Sequence, residues 1–233
     1  MKCVWEHNGD DTLLYSVDYV GAYTRGQSLK IAMEKMNDEI AAYSAWKNQN
    51  REYDTEIEIV QEKNSDLHIA DADSDILFDS EKAPLSQAEY TELKALALKS
   101  ASDFYALYSS IPNKHESCVP QRRTFYGNVP RTAQEMYEHT KNVNSYYFGE
   151  IGIDVDNEGT IYECRKRGFW LLEQTKGFMD NPVLAGSYDE LWSLRKMMRR
   201  FLWHDRIHAK AMYRMSVKTF GIGSAENTFK FTV

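Results

Sequence analysis

Ser86 and Glu89, Thr132 and Glu135, and Ser187 and Glu190 each place a Ser or Thr three positions before a Glu. Such a pair is a capping box. The hydroxyl accepts from the third helical N–H, and the Glu carboxylate accepts from the cap's own N–H. Apolar residues at three- and four-residue spacing follow each one, which predicts amphipathic helices. The first runs through SQAEYTELKALALKSASDFYALYSSI, with Leu93, Leu96, Ala97, Phe104, Leu107 and Tyr108 on its apolar face and Pro112 beyond its end. The second runs through AQEMYEHTKNVNSYYFGEI. The last runs from about Tyr188 to Met215 or beyond, about 40 Å at a rise of ~1.5 Å per residue. A further helical pattern over roughly 160–177 presents Ile161, Cys164, Phe169, Leu171 and Leu172 and stops near Gly177. A helix with one apolar stripe must bury it, and four long ones predict an up-and-down four-helix bundle over residues 84–233.

The first 83 residues read differently. VWEH and TLLYSV flank Asn8-Gly9-Asp10-Asp11, a hairpin turn signal, although Leu14, Val17 and Tyr19 do not alternate cleanly. Leu29, Ala32, Met33, Met36, Ile40 and Tyr43 then recur at helical spacing. EYDTEIEIV sets Ile57 and Ile59 against acids, as in a half-buried strand. DLHIADADSDILFDS predicts two more short strands around an acidic turn. Residues 1–83 therefore read as a small α+β domain, and the chain as α+β overall. FKFTV at the end of the chain reads as a short strand.

Charge supports the same division. The chain carries a net charge of −7, but residues 1–83 hold 8 Lys/Arg against 18 Asp/Glu, and residues 84–233 hold 20 against 17. The acidic part lacks the basic footprint that nucleic acid needs, so nucleic acid is not an expected partner. Arg195, Lys196, Arg199 and Arg200 form a run that reads as a solvated helix face, with an anion site at a pocket mouth as the alternative. No apolar run approaches the ~18 residues of a membrane span, and MKCVWEHNGDD turns acidic too early for a signal peptide, so a cytoplasmic protein is expected. Cys3, Cys118 and Cys164 are odd in number and scattered. They predict reduced thiols and neither a disulfide framework nor a metal pair. Asp71-Ala-Asp73-Ser-Asp75 imitates the start of a calcium loop, but Ile76 and Lys82 occupy the positions that need Gly and Glu. No Walker loop or dinucleotide-binding glycine motif occurs. Residues 112–131, with three of the five prolines, read as an ordered loop of the kind that covers a site.

The segment WHDRIHAKAMYR places His204 and His208 one helical turn apart, on one face with Trp203, Ile207, Ala211 and Met215 near them. Two inward imidazoles cost desolvation unless something satisfies them, and a divalent metal would do so. Hydrogen-bonded core histidines are the competing reading. A third ligand must come from elsewhere; His139, with Met136, Val143 and Tyr147 at helical spacing, is the best placed. Asp205 follows His204 where a zinc protease carries Glu, so that motif is absent. Asp205 reads either as an exposed salt-bridge partner or as a carboxylate that orients a ligand. Glu135 stands one turn before His139, as a cap or a support for the site. Arg200, one turn before His204, is a candidate for a substrate carboxylate. Tyr146 and Tyr147 are candidates for the pocket lining.

In EMYEHTKNVNSYY and RRFLWHDRIHAKAMYR the chain resembles the DinB/YfiT-like superfamily. These are four-helix bundles whose three-histidine metal site takes one ligand from the second helix and an HxxxH pair from the last. The resemblance covers about residues 86–215. It implies His139, His204 and His208 as ligands of a divalent metal, zinc or nickel first. It also implies a metal-dependent transferase or hydrolase acting on a small molecule, a low-molecular-weight thiol among the candidates. NGDDTLLYSVDYVGAYTRGQSLKIAMEKMNDEI resembles a HicB-like antitoxin fold, with Gly21 and Gly26 between hairpin and helix. That resemblance implies the alternative, a non-enzymatic regulatory or protein-interaction module. Long bundle helices often carry a second apolar stripe, which leaves a homodimer open.

Overall fold

A computed structural model of the chain describes residues 1–49, 56–124 and 126–232. The N-terminal part is a four-stranded sheet of β1 (Lys2–Asn8), β2 (Asp11–Ser16), β3 (Tyr23–Gly26) and β4 (Glu58–Asn64), in the order β3-β2-β1-β4. β1 and β2 form the expected hairpin, with Cys3 opposite Ser16, Asn8 opposite Asp11 and Gly9 at φ +57° in the turn. Helix α1 (Leu29–Trp46) carries the chain across to β4, which runs parallel to β1. The stripe of α1 is buried at Ala32, Met36, Ile40 and Tyr43. β2 does not alternate because both sheet faces are covered. Cys3 and Leu14 face α1, whereas Val4, Leu13 and Tyr15 pack against Ile69, Ile76, Phe78 and Trp203.

Four helices follow: α2 (Gln87–Ser110), α3 (Ala133–Gly149), α4 (Ile161–Leu172) and α5 (Leu194–Phe220). α2 and α3 each pack against both α4 and α5. Ser86 with Glu89 and Thr132 with Glu135 form the capping boxes expected of them. A further box, Thr160 with Glu163, starts α4. Ser187 and Glu190 do not start α5. Ser187–Asp189 is a 3-10 turn between the short strands β7 (Leu184–Ala185) and β8 (Leu191–Trp192). Ser193 caps α5 by accepting from Lys196 N, and the Glu190 carboxylate lies 2.8 Å from Lys196 Nζ. A stronger partner than a backbone N–H has taken the Glu that the box required.

Elsewhere tertiary packing overrides the local pattern. Residues 67–80 form 3-10 turns and coil rather than two strands, with Ile69, Ile76 and Phe78 packed on the sheet. α4 ends at Leu172, well before Gly177. Residues 112–131 contain a small hairpin of β5 (Arg123–Thr124) and β6 (Gly127–Asn128). The described residues of FKFTV form no strand; Phe229 and Phe231 are buried, with Phe229 stacked on Trp46.

The largest apolar cluster crosses residue 83. Met36, Ile40 and Trp46 belong to the same cluster as Phe104, Leu202 and Met212. The charge asymmetry has its explanation here. The run on α5 is not a solvated face: Lys196, Arg199 and Arg200 are buried, and Arg195 is half-buried. Arg199 pairs with Glu81 and donates to Ile76 O. Lys196 donates to Asp75 O, and Arg200 to Ser74 O at 2.7 Å. Further along α5, Arg206 and Lys210 share buried Glu39 of α1. The acidic N-terminal part is the counter-charge of α5, and burial is tolerated because each cation finds carboxylate or carbonyl oxygen. No helix among the described residues is long and apolar enough to cross a membrane.

Candidate metal centre

α3 and α5 lie side by side and bring the three histidines together. One nitrogen from each of His139, His204 and His208 lies within 4.8 Å of the others. His139 Nε2 is 3.2 Å from His204 Nε2, and among the described residues that is the only hydrogen-bonding contact any of the three rings makes. His204 is 9% exposed, and its Nδ1 has no partner. Burial pushes all three imidazoles below their ordinary pKa, His208 to about 3 and His204 well down, the latter aided by the neighbouring histidines, Arg200 and Arg165. The rings are therefore neutral at neutral pH, the state in which imidazole ligates metal.

These residues fit a divalent cation. Tetrahedral zinc at ~2.0–2.1 Å from each imidazole sets neighbouring nitrogens roughly 3.3 Å apart, close to the His139–His204 separation. An all-imidazole set suits zinc, nickel, copper or iron, and three protein ligands leave a position for a small molecule.

The trio lies in the wall of a cavity of about 640 Å³. Tyr147, 3% exposed, sets its ring edge-on to His204 at 6.0 Å between centroids, and Tyr146 lines the same cavity while remaining partly exposed. Arg200 lines it too, its guanidinium stacked near Tyr147, Trp192 and Trp203. Glu135 is not part of the lining. Its carboxylate accepts from the backbone N–H groups of Arg131 and Thr132, at 2.9 and 3.0 Å, and these bonds hold its pKa below the usual range. Asp205 is not on an exposed face. It is fully buried, paired with Arg165 and accepting from Ser100 Oγ at 2.6 Å.

Sequence reasoning missed the opposite wall. Tyr23, Arg25, Asp73 and Ser74 come from the N-terminal part, and Arg122, Asn128 and Pro130 from the loop before α3. Residues 112–131 do border the site. Asp73 has its pKa raised by burial at this wall. The proline-rich loop marks its own residues, but Tyr23, Arg25, Asp73 and Ser74 reach the histidines only through the docking of the N-terminal part on α5.

No family model matches the chain, and neither a curated protein nor a solved structure does.

Proposed function

We propose that this protein is a metal-dependent enzyme, a thiol-dependent transferase or hydrolase acting on a small molecule, with a divalent metal, zinc or nickel, held by His139, His204 and His208. One observation carries the reading. Three neutral imidazoles from two helices converge on a cavity, and among the described residues none of them has a hydrogen-bond partner outside the trio. Histidines kept for packing would be satisfied by carbonyls or carboxylates. A metal, when bound, supplies a Lewis acid that favours the deprotonated form of a water or thiol.

The chain's own residues then have distinct tasks. Tyr147 and Trp203 wall the trio and keep bulk water from it. Arg200 stands one helical turn from His204 with its charge toward the same cavity. Ser100 and Arg165 fix Asp205 and so set the rotation of α5 that aims His204 inward. Within this reading α2–α5 are a DinB/YfiT-like bundle, and residues 1–83 a HicB-like domain that serves as the cavity's second wall. Tyr23, Arg25, Asp73 and Ser74 favour that role over a separate partner-binding module.

The test is elemental analysis of protein purified without chelator or histidine tag, wild type beside His204→Ala. Stoichiometric zinc or nickel that the variant loses is the expected result. Absence of metal from both, even after reconstitution, would overturn the proposal.

A further inference from the structure

We infer that the cavity selects an anionic small molecule, one bearing a carboxylate or phosphate, and that Arg200 is the residue that seats its oxyanion. The inference deepens the proposed function and rests on that reading only for the metal-bound end of the substrate.

The protein is acidic overall, yet this cavity is not. Arg25, Arg122, Arg200, Lys210 and Arg214 line it, against the carboxylates of Asp71 and Asp73. Arg122 is paired with Asp71. Lys210 shares Glu39 with Arg206. Arg214 has no ion pair or hydrogen bond among the described residues and is exposed; Arg25, also exposed, donates to Ala70 O at 3.2 Å. At the inner end, Glu190 is the carboxylate within ion-pair distance of Arg200 and Lys196, 2.8 Å from Lys196 and 4.0 Å from Arg200, while Asp73 and Asp75 act on them from farther off. Arg200, only 9% exposed, thus has no close carboxylate of its own. A metal at the histidines would add positive charge. A concave site of one sign between low-dielectric walls concentrates ligands of the other.

Unsatisfied donors point the same way. Arg200 Nη1 donates to Ser74 O, but Arg200 Nε is buried without a partner, and so is the indole Nε1 of Trp203. Both residues line the cavity. Buried donors without acceptors cost free energy, and an oxyanion drawn in against Arg200 would supply an acceptor once these side chains shift to uncover the two N–H groups. The guanidinium offers a planar fork that matches carboxylate or phosphate, and its stacking against Trp203 at 4.7 Å holds the fork in place. Position adds the last element. Arg200 precedes His204 by four residues, and Arg214 follows His208 by six, rises of about 6 and 9 Å along α5. The histidines sit between an inner and an outer cationic end, in a volume suited to a small molecule rather than a polymer.

The experiment is isothermal titration calorimetry at low ionic strength on zinc-loaded and on chelator-treated protein, with succinate, inorganic phosphate and neutral succinamide as probes. Saturable binding of succinate or phosphate, weakened by added salt and absent for succinamide, is expected; which of the two binds distinguishes carboxylate from phosphate. Arg200→Gln should weaken binding about tenfold or more. Should that variant not fold, Arg200→Lys keeps the charge but loses the fork and should still weaken it. Arg214→Gln, at an exposed position, should weaken binding severalfold and flatten its salt dependence with an unchanged melting temperature. Failure of both anions to bind, equal binding of succinamide, or unchanged affinity in a folded Arg200 variant would overturn the inference. Anion binding by protein that takes up no metal would sink the metal reading alone. Metal uptake without anion binding would sink this inference alone.

Discussion

Arg165 of α4 grips Asp205 of α5 with both ends of its guanidinium, Nη2 at 3.0 Å from Oδ1 and Nη1 on Oδ2, and neither side chain is exposed. Ser100 of α2 donates to the same carboxylate, and Arg165 Nε donates to Asn144 of α3 at 3.1 Å. One polar network thus ties all four helices together, at the residue next to His204. Buried ion pairs add little over apolar packing, but breaking one leaves a charge without compensation. Asp205→Ala should cost about 3–5 kcal/mol in urea unfolding. The double variant Arg165→Met with Asp205→Leu should cost much less than the sum of the single changes. Additive losses would show that the two residues are not coupled.

Metal-free protein should lose stability as pH falls. All three histidines have their folded pKa depressed, while the unfolded value lies near 6.5. Below about pH 6.5 the unfolded state binds more protons than the folded one, so stability declines toward the His208 value of about 3, by up to ~1.4 kcal/mol per pH unit for each histidine. Above pH 7 these groups add no slope. Urea midpoints between pH 4 and 8, with acid unfolding of the carboxylates common to both proteins, should fall less steeply for His208→Gln than for wild type. Equal slopes would place the His208 ring in solvent.

Metal should stabilise the native state by mass action. Zinc at ~100 times its dissociation constant adds about 2.7 kcal/mol if it binds only the folded chain. Differential scanning calorimetry should show a higher melting temperature with zinc in wild type and little change in His139→Ala. An equal rise in both would locate the binding elsewhere.

Gly21, between β2 and β3, packs directly against Leu202 of α5. Gly21 has φ +91°, and a Cβ there would lie 2.4 Å from Leu202 Cβ. Gly21→Ala should therefore destabilise by about 1–3 kcal/mol or more, combining backbone strain with a clash. Gly9→Ala is the control. Gly9 also has positive φ, but nothing lies within 4 Å, so only the conformational cost of about 1 kcal/mol remains. Equal losses would mean that the sheet can yield at Gly21 without effect on α5.

Much of the candidate site is legible in the sequence. HxxxH on a helical face forces two rings to one side, and the face of His139 follows from Met136 and Tyr147 at helical spacing. Both depend on neighbours within a turn or two, where periodicity is reliable. The roles of Asp205, Glu135 and the Arg195–Arg200 run were harder to read. An exposed and a buried charge look alike in a chain, and which one occurs depends on partners far away, as Glu81 is for Arg199 and the Asp75 carbonyl is for Lys196.

By itself the sequence determined the helices with strong caps, the β1–β2 hairpin, the stripe of α1 and the common face of His204 and His208, because each rests on contacts a few residues long. Only the tertiary structure decided that the acidic N-terminal part neutralises α5, that Ser193 rather than Ser187 starts that helix, and that Arg25, Ser74 and Arg122 share a cavity with the histidines. Those outcomes depend on free energies of burial and pairing between segments that are mostly far apart in the chain, where no local pattern records which partner wins.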